Sequence, residues 1–214
     1  MAHDFSMSLS SCAVLLGMGA FHGINPGMGW LFAVALGMQE QRRAGVLRAL
    51  LPLGAGHALA IAAAVVLAVF AGALAPIRDL RWAVAGILVA LGVSRLIRHR
   101  HLRWVGMRVG MGGLTLWSFL MASAHGAGLM VLPVFLAMAM GGAEPSGHSM
   151  AASTPVAAIF ATFVHAIGYL LVTAAIALLV FEKFGLGLLR KMWVNLDLIW
   201  AAALIATGIL TALL

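Results

Sequence analysis

Long apolar runs separated by short polar or basic segments dominate this chain. About 20 consecutive apolar residues suffice to cross a bilayer as a helix, and six runs of that kind lie near Leu9–Gly37, Ala49–Ala75, Trp82–Ile97, Gly110–Met140, Val156–Phe181 and Leu196–Leu214. The third is short and the fourth long, so tilt or an interruption is expected in the fourth. The connecting segments are Gln39–Arg48, Pro76–Arg81, Arg95–Arg108, Gly141–Pro155 and Glu182–Asn195. This pattern predicts an all-α integral membrane protein of six transmembrane helices, forming a single membrane domain over residues 1–214.

Charge adds orientation. Assigning the first, third and fifth connections to the cytoplasm places eleven of the 13 Lys and Arg residues there, with Arg78 and Arg81 outside. The positive-inside rule then predicts a multi-pass protein of the cell inner (plasma) membrane with both termini outside. Met1-Ala2-His3-Asp4 lacks the basic region of a cleavable signal, so the first run is expected to be retained as a helix.

Composition agrees, with 64% hydrophobic residues, 9% charged residues and a mean hydropathy of +1.09. A net charge of +7 would suggest nucleic acid in a soluble chain. Here the basic residues cluster in the loops, and the expected partner is the lipid bilayer. Cys12 is the only cysteine, which excludes an intramolecular disulfide or a thiolate cluster.

Four histidines interrupt the apolar runs, and imidazole in hydrocarbon is costly enough to mark a functional position. His22 and His125 are each followed by glycine and then by a proline in the same run, Pro26 and Pro133. His57 and His165 are each followed by alanine. His-Gly twice and His-Ala twice, in the same order, is harder to obtain from alanine- and leucine-rich composition than mere helix-to-helix similarity. The expected architecture is a 3+3 inverted repeat, repeat one about 9–97 and repeat two about 110–214. Three helices per unit oblige the second copy to enter from the opposite side, and the site then lies near mid-membrane between the halves.

Helical spacing suggests what surrounds each imidazole. Met18 and Asn25 lie three or four residues from His22, Met121 and Leu129 from His125, Thr162 and Tyr169 from His165. Asn25 and Tyr169 suit orientation or direct binding. Pro26 cannot donate to the His22 carbonyl, and Gly23, Gly27 and Gly29 ease unwinding, so a broken helix with free carbonyls beside an imidazole is expected as a cation site. Neutral imidazole suits nickel, cobalt, zinc and copper, whereas magnesium or calcium would call for carboxylates. Of the six acidic residues only Asp197 lies near a run. Met28, Met121 or Met130 as thioether ligands would favour copper(I), although most of the 13 methionines are expected to be packing. His3, His99, His101 and His148 fall outside the runs and read more simply as solvated or basic-anchor residues.

At His22-Gly23-Ile24-Asn25-Pro26-Gly27-Met28 the chain resembles the nickel/cobalt exporter family of the lysine-exporter superfamily, whose first helix carries His-Gly-x-x-Pro-Gly-His. A second-helix histidine some thirty-odd residues on is matched by His57. Met28 stands where the motif ends in histidine, and the specific likeness covers about the first seventy residues. The resemblance implies a small six-helix permease for divalent metal ions, with His22 and His57 lining the route.

These readings converge on a permease for a transition-metal ion or another small solute, with His22, His57, His125 and His165 binding it and exchanging protons. An imidazole that loses a proton on taking a metal gives a simple route to antiport. Two alternatives stay open: a membrane-embedded metal- or haem-binding enzyme or redox protein, in which paired histidines hold the cofactor, and an accessory protein for metalloenzyme maturation. No nucleotide-binding motif, Ser-His-Asp set or paired-carboxylate site is visible, which points away from an enzyme. Small-residue faces such as Gly106–Gly113 permit helix packing within the chain or in a homo-oligomer.

Overall fold

The first apolar run does not remain one helix. In the computed structural model, which describes residues 9–74, 77–97, 110–141, 150–184 and 196–213, helix α1 (Leu9–Ile24) stops before Asn25. A single 3-10 turn, Pro26–Met28, follows, and helix α2 (Trp30–Glu40) begins afresh. The run over Leu9–Gly37 is therefore two helices, broken in the stretch where Pro26 and its glycines are expected to unwind it. The physical reasons are local: Pro26 lacks the N–H that the previous turn needs, and Gly29 takes φ 128°, a region closed to residues with a side chain.

Helix α3 (Arg43–Leu74) carries Pro52 inside it, and helix α4 (Ile77–Ile97) follows almost at once. Most of the expected Pro76–Arg81 connection is thus the first turn of α4. Asp79 sits there, where a carboxylate suits the unpaired N–H groups of a helix start. The long fourth run is indeed interrupted: helices α5 (Met111–Ala124) and α6 (Ala127–Gly141) bend by 61° about His125 and Gly126, with Gly126 at φ 72°. Helix α7 (Met150–Leu179) ends in one wide turn, Val180–Phe184, and helix α8 (Leu196–Leu213) closes the chain. His3, His99, His101 and His148, together with much of the basic-loop argument, lie outside the described residues.

Every regular element among the described residues is helical. Two stretches, Arg43–Ala71 and Ala158–Lys183, are long and apolar enough to cross a membrane, with mean hydropathies of 2.2 and 2.3. The bent α5–α6 pair makes a third if it crosses as one, while Leu9–Ile24 and Leu198–Leu213 are shorter apolar helices. Leu51, Leu67, Phe70, Ile159, Phe163 and Leu171 all point outward and are exposed. Water tolerates so many large apolar side chains poorly, and lipid accommodates them.

Helices pair across the two halves of the chain. Helix α1 packs most extensively on α7, α5 on α3, and α4 on α8. Glycine permits the closest approaches: a methyl at Gly19 would run into the carbonyl oxygen of His165, one at Gly168 into that of Leu16, and one at Gly56 into that of Thr115. Small-residue contacts of this kind are how helices associate where lipid offers no hydrophobic drive. They also bring the histidines of α1, α3 and α7 into one place.

Candidate functional site

His22 lies in the last turn of α1, His57 in mid-α3 and His165 in mid-α7. All three are fully buried. Because α1 and α7 touch along Gly19 and Gly168, and α3 lies against α7, the rings meet. Their centres are 5.0 Å apart for His22 and His165, 5.5 Å for His22 and His57, and 5.4 Å for His57 and His165.

One tautomer is fixed by geometry. The His22 Nδ1–H donates to the Met18 carbonyl at 2.7 Å, since a carbonyl only accepts, and this leaves the Nε2 lone pair without a hydrogen-bond partner. Neither nitrogen of His57 nor of His165 makes a hydrogen bond, although the Leu15 carbonyl sits close to His165. Buried polar atoms are nearly always paired in folded proteins. Five unpaired imidazole nitrogens within one cluster therefore ask for a ligand or water between them. The Tyr169 ring covers His57, stacked at 4.0 Å, and fixes its plane.

His125 is placed differently. It caps α5, and its Nδ1–H donates to the Met121 carbonyl at 2.8 Å, the same bond to the methionine one turn back that His22 makes. Its ring packs edge-on against Trp200 at 5.5 Å. Trp200 in turn meets His22 edge-on at 4.8 Å, stacks on Phe21 at 4.7 Å and donates its Nε1–H to the His125 carbonyl at 2.9 Å. Trp200 thus contacts both His22 and His125, which the sequence reading expects on facing helices. The ring neighbours of His22 within the cluster are His57 and His165.

The supporting residues mostly build the turn after α1. Asn25 Oδ1 accepts from the Gly27 N–H at 2.9 Å, Trp30 Nε1 donates to the Ile24 carbonyl at 3.0 Å, and the Tyr169 hydroxyl donates to the Met28 carbonyl at 2.6 Å. Even the His22 carbonyl, left by Pro26, accepts from the Asn25 N–H at 3.2 Å. The expected cation site of open carbonyls is therefore closed: the protein's own donors reach these oxygens. The Met28 side chain is buried, and Met121, Asn25 and His125 gather around Gly27, whose Cβ would lie 3.4, 3.3 and 4.0 Å from them. Thr162 spends its hydroxyl on the Ala158 carbonyl of its own helix. Sequence spacing did not single out Trp200 or Phe21. A signal was available, since Trp200 is the one aromatic residue in α8.

The donor set fits a transition-metal ion in kind. On a tetrahedral ion with metal–nitrogen bonds of about 2 Å, neighbouring imidazole centres lie about 5 Å apart, close to the separations here. As placed, no group of three or more His, Cys, Asp or Glu among the described residues converges on one point. The His57 and His165 rings lie parallel within 6°, so a shared ion requires one of them to turn. Haem fits poorly, because Tyr169 against His57 and Trp200 against His22 leave no slot for a macrocycle between the rings. Two carboxylates among the described residues are paired elsewhere: Glu182 with Arg43 at 2.8 Å and Glu40 with Arg48 at 3.5 Å, at the partly exposed helix ends.

Comparison with family models, with curated proteins and with solved structures finds no match for this chain.

Proposed function

We propose that this chain is a membrane permease for a transition-metal cation, bound in transit by His22, His57 and His165. The observation that carries the reading is the cluster itself: three buried rings from three helices, in mutual contact, with unpaired nitrogens on each. Nickel, cobalt, zinc and copper are the substrates that neutral imidazoles suit, and Glu40 and Glu182, each paired with an arginine, are not free to hold magnesium or calcium. The resemblance at His22-Gly23-Ile24-Asn25-Pro26-Gly27 to the nickel/cobalt exporter family agrees with that choice. The His22 Nδ1–H, held by the Met18 carbonyl, presents Nε2 in the manner of metal-ligating histidines, whose second nitrogen is anchored by a carbonyl or carboxylate.

The reciprocal packing of α1 on α7 and α5 on α3 supports a six-span inverted repeat, in which the bent α1–α2 and α5–α6 pairs are the first span of each half. A site where repeats meet near mid-membrane is the usual place for a transported ion.

Binding and transport decide the matter. Replacing His22 or His57 by Gln keeps a polar group of similar reach, and loss of one ligand is expected to weaken metal binding about 100-fold or more, a few kcal/mol out of the roughly 10–16 kcal/mol of a complete protein zinc site. Calorimetric titration of the purified protein and uptake into proteoliposomes, each with nickel, cobalt, zinc and copper, provide the readouts. A parent that binds none of the four, or variants that bind and transport like the parent, would overturn the reading.

A further inference from the structure

Tyr169 works at both ends of its side chain. The ring stacks on His57, and the hydroxyl donates to the Met28 carbonyl at 2.6 Å. Two more hydroxyls, Ser118 of α5 and Thr173 of α7, lie beside the Tyr169 oxygen. Ser118 donates to the Leu53 carbonyl of α3 at 2.6 Å, and the Leu53 side chain packs on Gly29, next to Met28 in the turn after α1. Five oxygens from three helices and one turn thus gather in one place, on residues that are each at most 1% exposed.

Protons are scarce in this set. A hydroxyl has one hydrogen, so Tyr169 and Ser118, which direct theirs at the two carbonyls, keep only lone pairs for their other neighbours. Thr173 sharpens the point. Thr115, Thr162, Thr207 and Thr211 each donate to the carbonyl four residues back, the ordinary bond of a threonine inside a helix. The Thr173 hydroxyl, fully buried, makes no such bond and has no hydrogen-bond partner. Buried oxygens that face one another in this way ask for an ion or a water between them. Helices α3, α5 and α7 carry no Asp or Glu, and neutral oxygens alone poorly offset the desolvation of a divalent ion, which argues against magnesium or calcium. A single positive charge held by hydroxyls and by a carbonyl at a helix break is the common setting of a coupling ion.

We propose that the hydroxyls of Ser118, Tyr169 and Thr173, with the Met28 and Leu53 carbonyls, form a site for a monovalent alkali cation, with sodium as the probe. Tyr169 joins this site to the histidine cluster. An ion drawn to its hydroxyl steadies the ring that lies on His57, so sodium and a transition metal bind more tightly together than apart. That link rests on the permease reading above, whereas the sodium site itself does not.

The test is thermal unfolding of the full chain in detergent, free of transition metal, with choline chloride replaced stepwise by sodium chloride at constant ionic strength. A ligand that binds only the folded chain raises the melting temperature with its concentration, and sodium is expected to do so. T173V is expected to melt no lower than the parent in choline, because the hydroxyl it removes holds nothing in the protein. It should nevertheless need at least about tenfold more sodium for the same rise, as the loss of one oxygen from a charged group implies. T173S keeps the hydroxyl and should respond like the parent. If T173V does not fold, T173A takes its place, with the sodium dependence alone as the readout. Equal melting in sodium and choline, as a set of oxygens holding only water would give, overturns the site, and so does a sodium response that the variant retains. Zinc titrated by calorimetry should bind about fivefold tighter or more in sodium than in choline, and equal affinities refute the link through Tyr169. A chain that binds none of the four metals yet shows a sodium response dependent on Thr173 refutes the permease reading alone. One that binds them without any sodium response refutes the sodium site alone.

Discussion

The two helix breaks, one after His22 and one after His125, start alike and end differently. In each, an imidazole Nδ1–H ties back to the carbonyl of the methionine one turn earlier, and a glycine with positive φ redirects the chain. The first break then runs through a 3-10 turn and is latched to its own helices and to α7 by Asn25, Trp30 and Tyr169. The second has only His125 and Gly126 between helices, and its latch in the described contacts is the indole of Trp200. One signature therefore breaks a helix twice, and the long-range partners of each break set the surroundings of its histidine.

That contrast can be broken most forcefully at the two glycines. Gly29 at φ 128° lies outside the left-handed helical well and faces the Leu53 methyls, where a Cβ would approach to 2.5 Å. Gly29→Asn is expected to cost about 2–5 kcal/mol, from backbone strain and crowding together. Gly126 at φ 72° lies within the left-handed well that asparagine visits, with only the flexible end of Leu204 near, at 3.1 Å. Gly126→Asn should cost about 1 kcal/mol or less. Thermal unfolding of the purified protein in detergent, followed by circular dichroism, ranks the two, and equal losses would show that the breaks are built alike after all.

A middle-sized effect is expected at the latch of the first break. Tyr169→Phe keeps the ring that covers His57 but leaves the buried Met28 carbonyl without its donor, a loss of about 1–3 kcal/mol. Metal affinity of this variant should change far less than in His57→Gln, because the hydroxyl faces the turn and the ring faces the imidazole. A parallel collapse of affinity would mean that the hydroxyl belongs to the site.

The smallest effect sharpens the comparison within the first turn. Asn25→Ala removes one side-chain acceptor from an N–H that its neighbours still shield, at about 1 kcal/mol. Asn25→Asp, which keeps an acceptor in the same place, should restore most of that stability in the unfolding assay. No restoration would argue that Asn25 acts through its amide NH2 instead.

Helix class, the apolar character of the helices and the four buried histidines were legible in the sequence because each is a local property. Hydropathy sums over a window, imidazole is conspicuous in an apolar run, and proline or glycine near His22 and His125 marks where helices fail. The free-carbonyl site was not correctly read. Pro26 does remove a donor, but whether the stranded oxygen meets an ion or another N–H depends on Asn25, Trp30 and Tyr169, the last 141 residues from the carbonyl it binds.

By itself, then, the chain determined that it is helical, that its outer faces suit lipid, where its long helices break, and which histidines must be buried. The tertiary structure alone decided the company those histidines keep. Helical spacing specifies neighbours three and four residues away, so it could pair His22 with Met18. It carries no information on which helix lies opposite. That was set by glycines meeting distant carbonyls, Gly19 on His165 and Gly56 on Thr115, and by one indole on α8 reaching across to His125 and His22.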